Sequence, residues 1–252
     1  MIKYEKELKV SAQYDVVVAG SGPAGICAAV AAARRGMNTA IIERYGVLGG
    51  NLTIGCVGPI MGSVAKGTMY DELSRKLLTE NETTWTGRVH DMENAKRIIL
   101  DFLLEAGVTI YLQTPIIDAI QSSGVLTGIV VSQKEGLSVI EGRSFIDATG
   151  DGDLAVFSGA PWSAGRAADG KLQPVTLMYI IENVDDSRAI SCYGEEDNVM
   201  LGSERFLDFT ARCCEDGRLP KNCSSVRLYP TTHPGERLVN TTQANYIDPL
   251  KH

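Results

Sequence analysis

The sequence predicts an α/β protein built around a parallel sheet, and three observations near its start carry that prediction. Residues 14–19 form a short apolar run rich in β-branched side chains, which is typical of a strand buried on both faces. Residues 23–35 are small and apolar, begin with proline and are followed by Gly36, which indicates a helix packed closely on a sheet. Residues 38–43 predict a second strand, so the chain opens with a βαβ unit.

Further helices and short strands are predicted after a glycine-rich stretch from Gly46 to Gly67. The helices cover residues 68–78 and 92–106, and Gly107 ends the second. Turn-forming residues separate five predicted strands, which cover residues 108–112, 116–122, 126–132, 137–140 and 143–148. These strands predict a small meander and a final strand that runs into a glycine turn.

The character of the sequence changes beyond Gly159, where a second and smaller unit is expected. Its predicted elements are a strand at 175–182, an amphipathic helix at 203–216 and strands at 226–229 and 237–241. We therefore expect two domains, residues 1–160 and residues 161–252.

Composition and charge exclude several classes of protein. The 252 residues are 44% hydrophobic and 22% charged, as is usual for a globular protein, and the formal net charge is −7. Without clustered Lys and Arg, nucleic acid is not an expected partner. No apolar run reaches the length of about 20 residues that spans a bilayer, and the N-terminus lacks the apolar core of a secretory signal. We expect a cytoplasmic protein that does not bind membranes.

Six cysteines are expected to be reduced thiols, because a chain of this size needs no disulfide scaffold. Cys213, Cys214 and Cys223 were considered as metal ligands. Two adjacent cysteines followed by a gap of this length match no zinc spacing, so no metal site is predicted.

The chemistry is carried by the segment Gly20-Ser21-Gly22-Pro23-Ala24-Gly25, which matches Gly-x-Gly-x-x-Gly. Gly20 permits a tight turn, Gly22 lets the backbone approach a pyrophosphate, and Gly25 lets the helix lie close to the sheet. The helix N-terminus then offers N–H groups and a dipole that favour negative charge.

The context of this motif makes it specific. It follows a buried strand, opens a helix, and precedes Glu43, which ends the next strand 18 residues beyond Gly25. A carboxylate there can accept hydrogen bonds from ribose hydroxyls and would repel a 2′-phosphate. The motif therefore predicts a bound dinucleotide, either FAD or NAD.

Two more segments point to FAD. They are residues 48–53, Leu-Gly-Gly-Asn-Leu-Thr, and residues 145–153, Phe-Ile-Asp-Ala-Thr-Gly-Asp-Gly-Asp. With the fingerprint, they resemble the FAD-dependent oxidoreductases of the glutathione-reductase-like and fumarate-reductase-like group. Taken from the residues alone, Gly49-Gly50 also fits a plain loop, and Asp147 or Asp151 also fits the cap of a turn.

The resemblance implies a Rossmann-like FAD/NAD(P)-binding domain with strand-rich insertions and a partial substrate domain. It covers roughly residues 12–160 well. The positions it implies for FAD binding are Gly20, Gly22, Pro23, Ala24, Gly25, Glu43, Arg44, Gly49, Gly50, Asn51, Thr53, Ile116, Ala148, Thr149, Gly150 and Asp151. The implied reaction is hydride transfer between a small organic substrate and bound FAD.

Two alternatives remain open. In the family, the chain usually returns after the substrate domain to complete the FAD domain, and no such segment is found before His252. A partner chain or homo-oligomer is therefore considered, as is a noncatalytic dinucleotide-binding subunit or fragment. The other alternative is a thiazole-synthase-like protein that binds NAD.

No catalytic residue is assigned from the sequence. His233 with Arg237 could receive a carboxylate or keto substrate, but a solvated loop explains both equally well. His90 precedes a predicted helix, and Cys56 has no nearby cysteine with which to form a redox pair. Cys27 is interpreted as a small packing residue inside the first helix.

Overall fold

The structure is a computed structural model that describes residues 2–3, 5–60, 65–78, 89–193, 198–223 and 226–244. Two compact units divide these residues. The first comprises the described residues of 1–55, 60–80 and 92–162, and the second those of 56–59, 81–91 and 163–252.

A six-stranded sheet forms the centre of the first unit, with the strand order β3-β2-β1-β6-β5-β4. The strands are β1 (Val10–Ala19), β2 (Thr39–Ile42), β3 (Thr109–Tyr111), β4 (Ile116–Ser122), β5 (Val125–Gln133) and β6 (Gly136–Asp147). The strands β3, β2, β1 and β6 are parallel, whereas β5 runs antiparallel to both β6 and β4. The predicted βαβ opening is present. The predicted meander is present only in β4, β5 and β6, because β3, which was expected to belong to it, pairs in parallel with β2.

Helices cover one face of this sheet. They are α1 (Pro23–Ala33), α2 (Met69–Leu78) and α3 (Met92–Glu105). Their buried side chains, such as Ile26, Leu73 and Phe102, form one apolar core with the sheet. Burial of this face stabilises the unit and holds the N-terminus of α1 at the carboxyl end of β1.

One predicted boundary in the sheet is wrong. Residues 137–140 and 143–148 are predicted to be separate strands, yet β6 is continuous from Gly136 to Asp147 and runs through Gly142. A Cβ at Gly142 would lie 2.9 Å from side-chain atoms of Phe145 and of Val17 on β1. The glycine therefore makes room for side-chain packing instead of breaking the strand.

The short helix α4 (Asp153–Phe157) follows β6 and was not predicted. Five residues are too few for helical periodicity to show, and the Gly-Asp-Gly-Asp sequence indicated only a turn. The helix begins immediately after Gly152, whose φ of 74° is left-handed.

The second unit contains a three-stranded antiparallel sheet in the order β10-β11-β7. The elements are β7 (Tyr179–Ile181), the hairpin β8 (Met200–Leu201) and β9 (Glu204–Arg205), α5 (Phe206–Glu215), β10 (Arg227–Pro230) and β11 (Arg237–Asn240). The predicted strand at 175–182 is shorter than expected, and its first part forms only an isolated bridge from Val175 to Ala244. Across the described ranges, no helix is both long and apolar enough to cross a membrane.

Candidate functional site

A cleft of about 650 Å³ lies in the first unit, where β1, β2 and β6 end. Its size falls within the range of about 300–1,000 Å³ that is usual for small-molecule sites. In the sheet, β2 and β3 lie on one side of β1, and β6 lies on the other. The cleft thus occupies the crevice outside the carboxyl ends of parallel strands where ligands bind in open α/β sheets.

Most of the residues predicted from the sequence line this cleft. They are Gly20, Gly22, Pro23, Ala24, Glu43, Arg44, Gly50, Asn51, Ile116, Ala148, Thr149, Gly150 and Asp151. They come from five separate segments of the chain that only the folded sheet brings together.

Three predicted residues are not part of the cleft lining. A Cβ at Gly25 would lie 2.0 Å from the carbonyl oxygen of Gly20, so this glycine permits the close approach of α1 to the strand end. Gly49 has a left-handed φ of 112°, and its N–H donates to the carbonyl of Ser21. The Thr53 hydroxyl donates to the Leu48 carbonyl at 2.6 Å. Gly49 and Thr53 thus shape the loop behind the lining, while Gly25 lets α1 approach the strand end.

The lining also includes residues that were not predicted individually. They are Ser21, Ile42, Tyr45, Ile54, Gly55, Thr114, Pro115 and Asp153. Each lies within a few positions of a predicted residue in the sequence. They could have been predicted from their position next to the motifs, because several consecutive residues of a loop usually line a site together.

The first two fingerprint glycines serve different purposes in the structure. Gly20 has a φ of 90°, and a Cβ there would lie 2.5 Å from the carbonyl oxygen of Ala148. A Cβ at Gly22 would meet no protein atom within 4 Å. Protein packing therefore demands a glycine at position 20, whereas the space in front of Gly22 is open to a ligand.

Helix α1 begins at this open space. Gly22 is its N-cap residue and provides no side-chain cap, Pro23 follows at the first position, and the first turn contains no acidic side chain. The end of a helix with uncapped N–H groups attracts an anion through those groups and through the helix dipole.

Glu43 connects the loops around the cleft through its buried carboxylate. One oxygen accepts hydrogen bonds from the Ser21 N–H at 3.0 Å and the Ser21 hydroxyl at 2.5 Å. The other accepts from the Tyr45 N–H at 2.8 Å. The Glu43 main chain also donates to the Tyr111 carbonyl and accepts from the Thr114 N–H. Glu43 therefore holds the fingerprint loop and the loops after β2 and β3 together.

The catalytic candidates from the sequence have other partners in the second unit. Arg237 is buried, and its guanidinium donates to the Asp186 carboxylate at 2.6 Å. The His233 ring, which is exposed, lies 3.2 Å from the carboxylate of Asp91. His90 is fully buried. Arg237 thus serves as a structural ion-pair partner, which disfavours the substrate-binding alternative.

The remaining candidates from the sequence are the thiols Cys27 and Cys56. Burial and then the nearby Glu72 carboxylate raise the pKa of the Cys27 thiol, which keeps this thiol protonated and supports its packing role. Cys56 has a left-handed φ of 54° in the loop after Gly55. His252 lies outside the described residues.

All six cysteines carry free thiols. Cys213, Cys214 and Cys223 are buried. Within the described part of the chain, no group of three or more His, Cys, Asp or Glu side chains is arranged to hold a metal ion.

Curated relatives match parts of the chain. A dihydrolipoyl dehydrogenase of Chlorobaculum tepidum is 32% identical over 152 residues, which are 56% of this chain and 31% of that protein. A dihydrolipoyl dehydrogenase of Trypanosoma brucei brucei is 53% identical over 45 residues, or 18% of this chain and 9% of that protein. The chain therefore spans less than a third of the length of these relatives.

Solved structures share the fold at low sequence identity. A geranylgeranyl bacteriochlorophyll reductase-like protein of Thermoplasma acidophilum aligns with a TM-score of 0.58 at 17% identity, covering 91% of this chain and 56% of that one. A glycerol-3-phosphate dehydrogenase of Bacillus halodurans, solved in complex with FAD, aligns with a TM-score of 0.55 at 13% identity. The alignment covers 95% of this chain and 49% of that one.

The sequence model of one protein family, described as FAD dependent oxidoreductase, matches residues 15–252. This match includes all three segments on which the resemblance was based. The chain belongs to the FAD dependent oxidoreductase family.

Proposed function

We propose that this chain binds FAD in the cleft of the first unit and serves an enzyme that transfers hydride between a small organic substrate and the flavin. The observation that carries the proposal is the open space in front of Gly22, where a Cβ would meet no protein atom within 4 Å. This space lies at the uncapped N-terminus of α1. A pyrophosphate placed there would accept backbone hydrogen bonds and gain from the helix dipole.

The residues around the cleft fit FAD in the following way. Gly20, Gly22 and Ala24 would hold the pyrophosphate with backbone groups. Glu43 would accept hydrogen bonds from the ribose hydroxyls, since each carboxylate oxygen can accept more than one bond. Ile116 would contact the adenine.

The other side of the cleft is proposed to receive the ribitol and the flavin end of the cofactor. Gly50 and Asn51 lie there in one loop, and Thr149, Gly150 and Asp151 in another. Hydroxyl and carboxylate side chains satisfy ribitol hydroxyls, and glycines let the backbone approach the ligand. Bound FAD supplies the hydride chemistry, while the chain binds and orients the cofactor and substrate.

We do not propose disulfide reduction for this chain, although two matched relatives are named dihydrolipoyl dehydrogenases. That chemistry needs a pair of cysteines beside the flavin. Among the described residues that line the cleft, none is a cysteine. The substrate is therefore proposed only as a small organic molecule.

We also propose the domain boundaries, the cellular location and the partners of this protein. Residues 1–160 would form the FAD-binding domain and residues 161–252 part of a substrate domain. The net charge of −7 and the six free thiols support a cytoplasmic protein that does not bind nucleic acid or membranes. A partner chain or a homo-oligomer is proposed as the assembly in which this chain acts.

The first test is the absorbance spectrum of the purified protein, followed by denaturation and chromatography of the released cofactor. Stoichiometric FAD, with bleaching of the flavin by a substrate under anaerobic conditions, is the expected result. FAD binding without reduction by any substrate would favour a noncatalytic subunit. Released NAD, or a colourless protein that neither binds added FAD nor gains thermal stability from it, would overturn the proposal.

A further inference from the structure

The loop that follows β6 is held by a residue that does not itself line the cleft. Asp147 accepts hydrogen bonds from the Thr149 N–H at 2.9 Å and the Thr149 hydroxyl at 2.7 Å on one carboxylate oxygen. Its other oxygen accepts from the Ala155 N–H in the first turn of α4 at 2.8 Å. The two ends of the loop are therefore joined through one carboxylate.

A second connection extends this network. The Thr149 hydroxyl accepts a hydrogen bond from the Asp153 N–H at 2.8 Å, while it donates to Asp147. Asp147 and Thr149 thus bind two of the N–H groups at the start of α4, whose N-cap Gly152 has no side chain to do so.

The rest of the loop has little to restrain it. Gly150 and Gly152 have φ values of 90° and 74°, and a Cβ at either would meet no protein atom within 4 Å. Glycine has the largest conformational freedom of any residue, so a loop with two such glycines gains its geometry from its anchors. Between these anchors lie Thr149, Gly150 and Asp151, which line the cleft.

We infer that Asp147 is a positioning residue, which fixes the loop 148–153 in the shape that receives the flavin end of FAD. This inference rests on the proposed function of the cleft. A preorganised loop loses less conformational entropy when the cofactor binds, so the carboxylate raises FAD affinity without touching FAD.

Asparagine at this position is a sharp probe because it has almost the same shape. Its amide can accept hydrogen bonds on one side only, and its NH₂ group would face an N–H or hydroxyl donor on the other. Asp147→Asn should therefore release one end of the loop, and Asp147→Ala should release both.

The structure offers a matched control in the second unit. One carboxylate oxygen of Asp185 accepts hydrogen bonds from the Ser187 N–H at 3.0 Å and from the Ser187 hydroxyl at 2.6 Å. This local pattern is the same as that of Asp147 and Thr149, but Thr149 lines the cleft whereas Ser187 does not. Asp185→Asn therefore makes the same substitution at a turn of the same kind, where one oxygen accepts both hydrogen bonds and no effect on FAD is expected.

The experiment measures the Kd for FAD, the visible circular dichroism of the bound flavin and the melting temperature of the FAD-free protein, for the wild type and the three variants. We expect Kd to rise about 10-fold in Asp147→Asn and further in Asp147→Ala, with an altered dichroism spectrum and a nearly unchanged melting temperature. Asp185→Asn should match the wild type.

Three outcomes would contradict the inference. Wild-type Kd and dichroism in both Asp147 variants would show that the anchor is not needed. An equal loss in Asp185→Asn, or a loss of affinity that only follows a lower melting temperature, would show a general structural effect. Failure of the wild type to bind FAD would instead overturn the proposed function.

Discussion

Glu43 in the first compact unit differs from Arg237 and His233 in the second in the partners of its side chain. In the first unit, Glu43 is bonded to main-chain N–H groups and one hydroxyl, and the space beside Gly22 remains open. In the second unit, Arg237 and His233 each face an acidic side chain. A site is therefore identified by groups held in place around free space, whereas a reactive residue type alone does not identify one.

The largest effect is expected from Gly25→Val in helix α1. A Cβ at this position would lie 2.0 Å from the Gly20 carbonyl oxygen, so the helix must move away from the strand end. Overpacking of this kind destabilises a protein by about 3 kcal/mol, and FAD binding should be lost. Thermal unfolding and FAD titration measure both effects. Ala31→Val in the same helix is the control, and equal destabilisation by it would contradict the packing argument.

Gly22→Val should abolish FAD binding while the fold survives. The new side chain enters the space where a Cβ meets no protein atom, so it competes with the pyrophosphate and not with the protein. We expect Kd to rise about 100-fold or more, which corresponds to about 2.7 kcal/mol. FAD titration measures the loss of affinity, and the melting temperature of the FAD-free protein shows whether the fold is retained. Wild-type affinity in this variant would show that FAD does not bind beside Gly22.

Ser21→Ala tests how far Glu43 depends on its hydroxyl partner. Both side chains are buried, and the variant removes one of the hydrogen bonds to the carboxylate. We expect a loss of about 1–2 kcal/mol in stability, since a buried acceptor loses a partner, and an increase in Kd for FAD. Denaturant unfolding and FAD titration measure these changes.

The control for Ser21→Ala is Ser187→Ala, which removes an exposed hydroxyl–carboxylate hydrogen bond in the second unit. This control should change neither quantity measurably. An equal effect of the two variants would mean that the Ser21 hydroxyl has no special role at the cleft.

Asp186→Asn should have the smallest effect and should depend on pH. Hydrogen bonds from the Arg237 guanidinium and then the Gly235 N–H lower the pKa of the Asp186 carboxyl. A lowered pKa in the folded state contributes stability above the ordinary pKa of aspartate, and this contribution is lost as the pH falls through the folded-state value.

The melting temperatures of the wild type and Asp186→Asn should therefore differ by a few degrees at pH 7 and converge below about pH 4. Affinity for FAD at pH 7 should not change. Asp101→Asn, which removes an exposed ion pair on α3, is the control. A difference that persists unchanged at low pH would contradict the assigned ion pair.

Much of the first unit could be predicted from local sequence. The strand 116–122 and the helix 68–78 agree with the structure to within one residue, because alternating or helical periodicity and the flanking glycines mark their ends. The continuity of β6 through Gly142 was not predicted. A glycine is needed at this position because its neighbour in space is Val17, a residue distant in the sequence. Boundaries set by such packing leave no local signal.

Local sequence is sufficient to predict the parallel α/β opening, the fingerprint at Gly20–Gly25 and the residue types that surround a dinucleotide. These features depend on backbone geometry and apolar periodicity over a few residues, which local sequence records. Only the tertiary structure decided that Glu43 bonds to Ser21 and that Arg237 pairs with Asp186. The physical reason is that these partners are separated along the chain, so their contacts exist only after the sheets have formed.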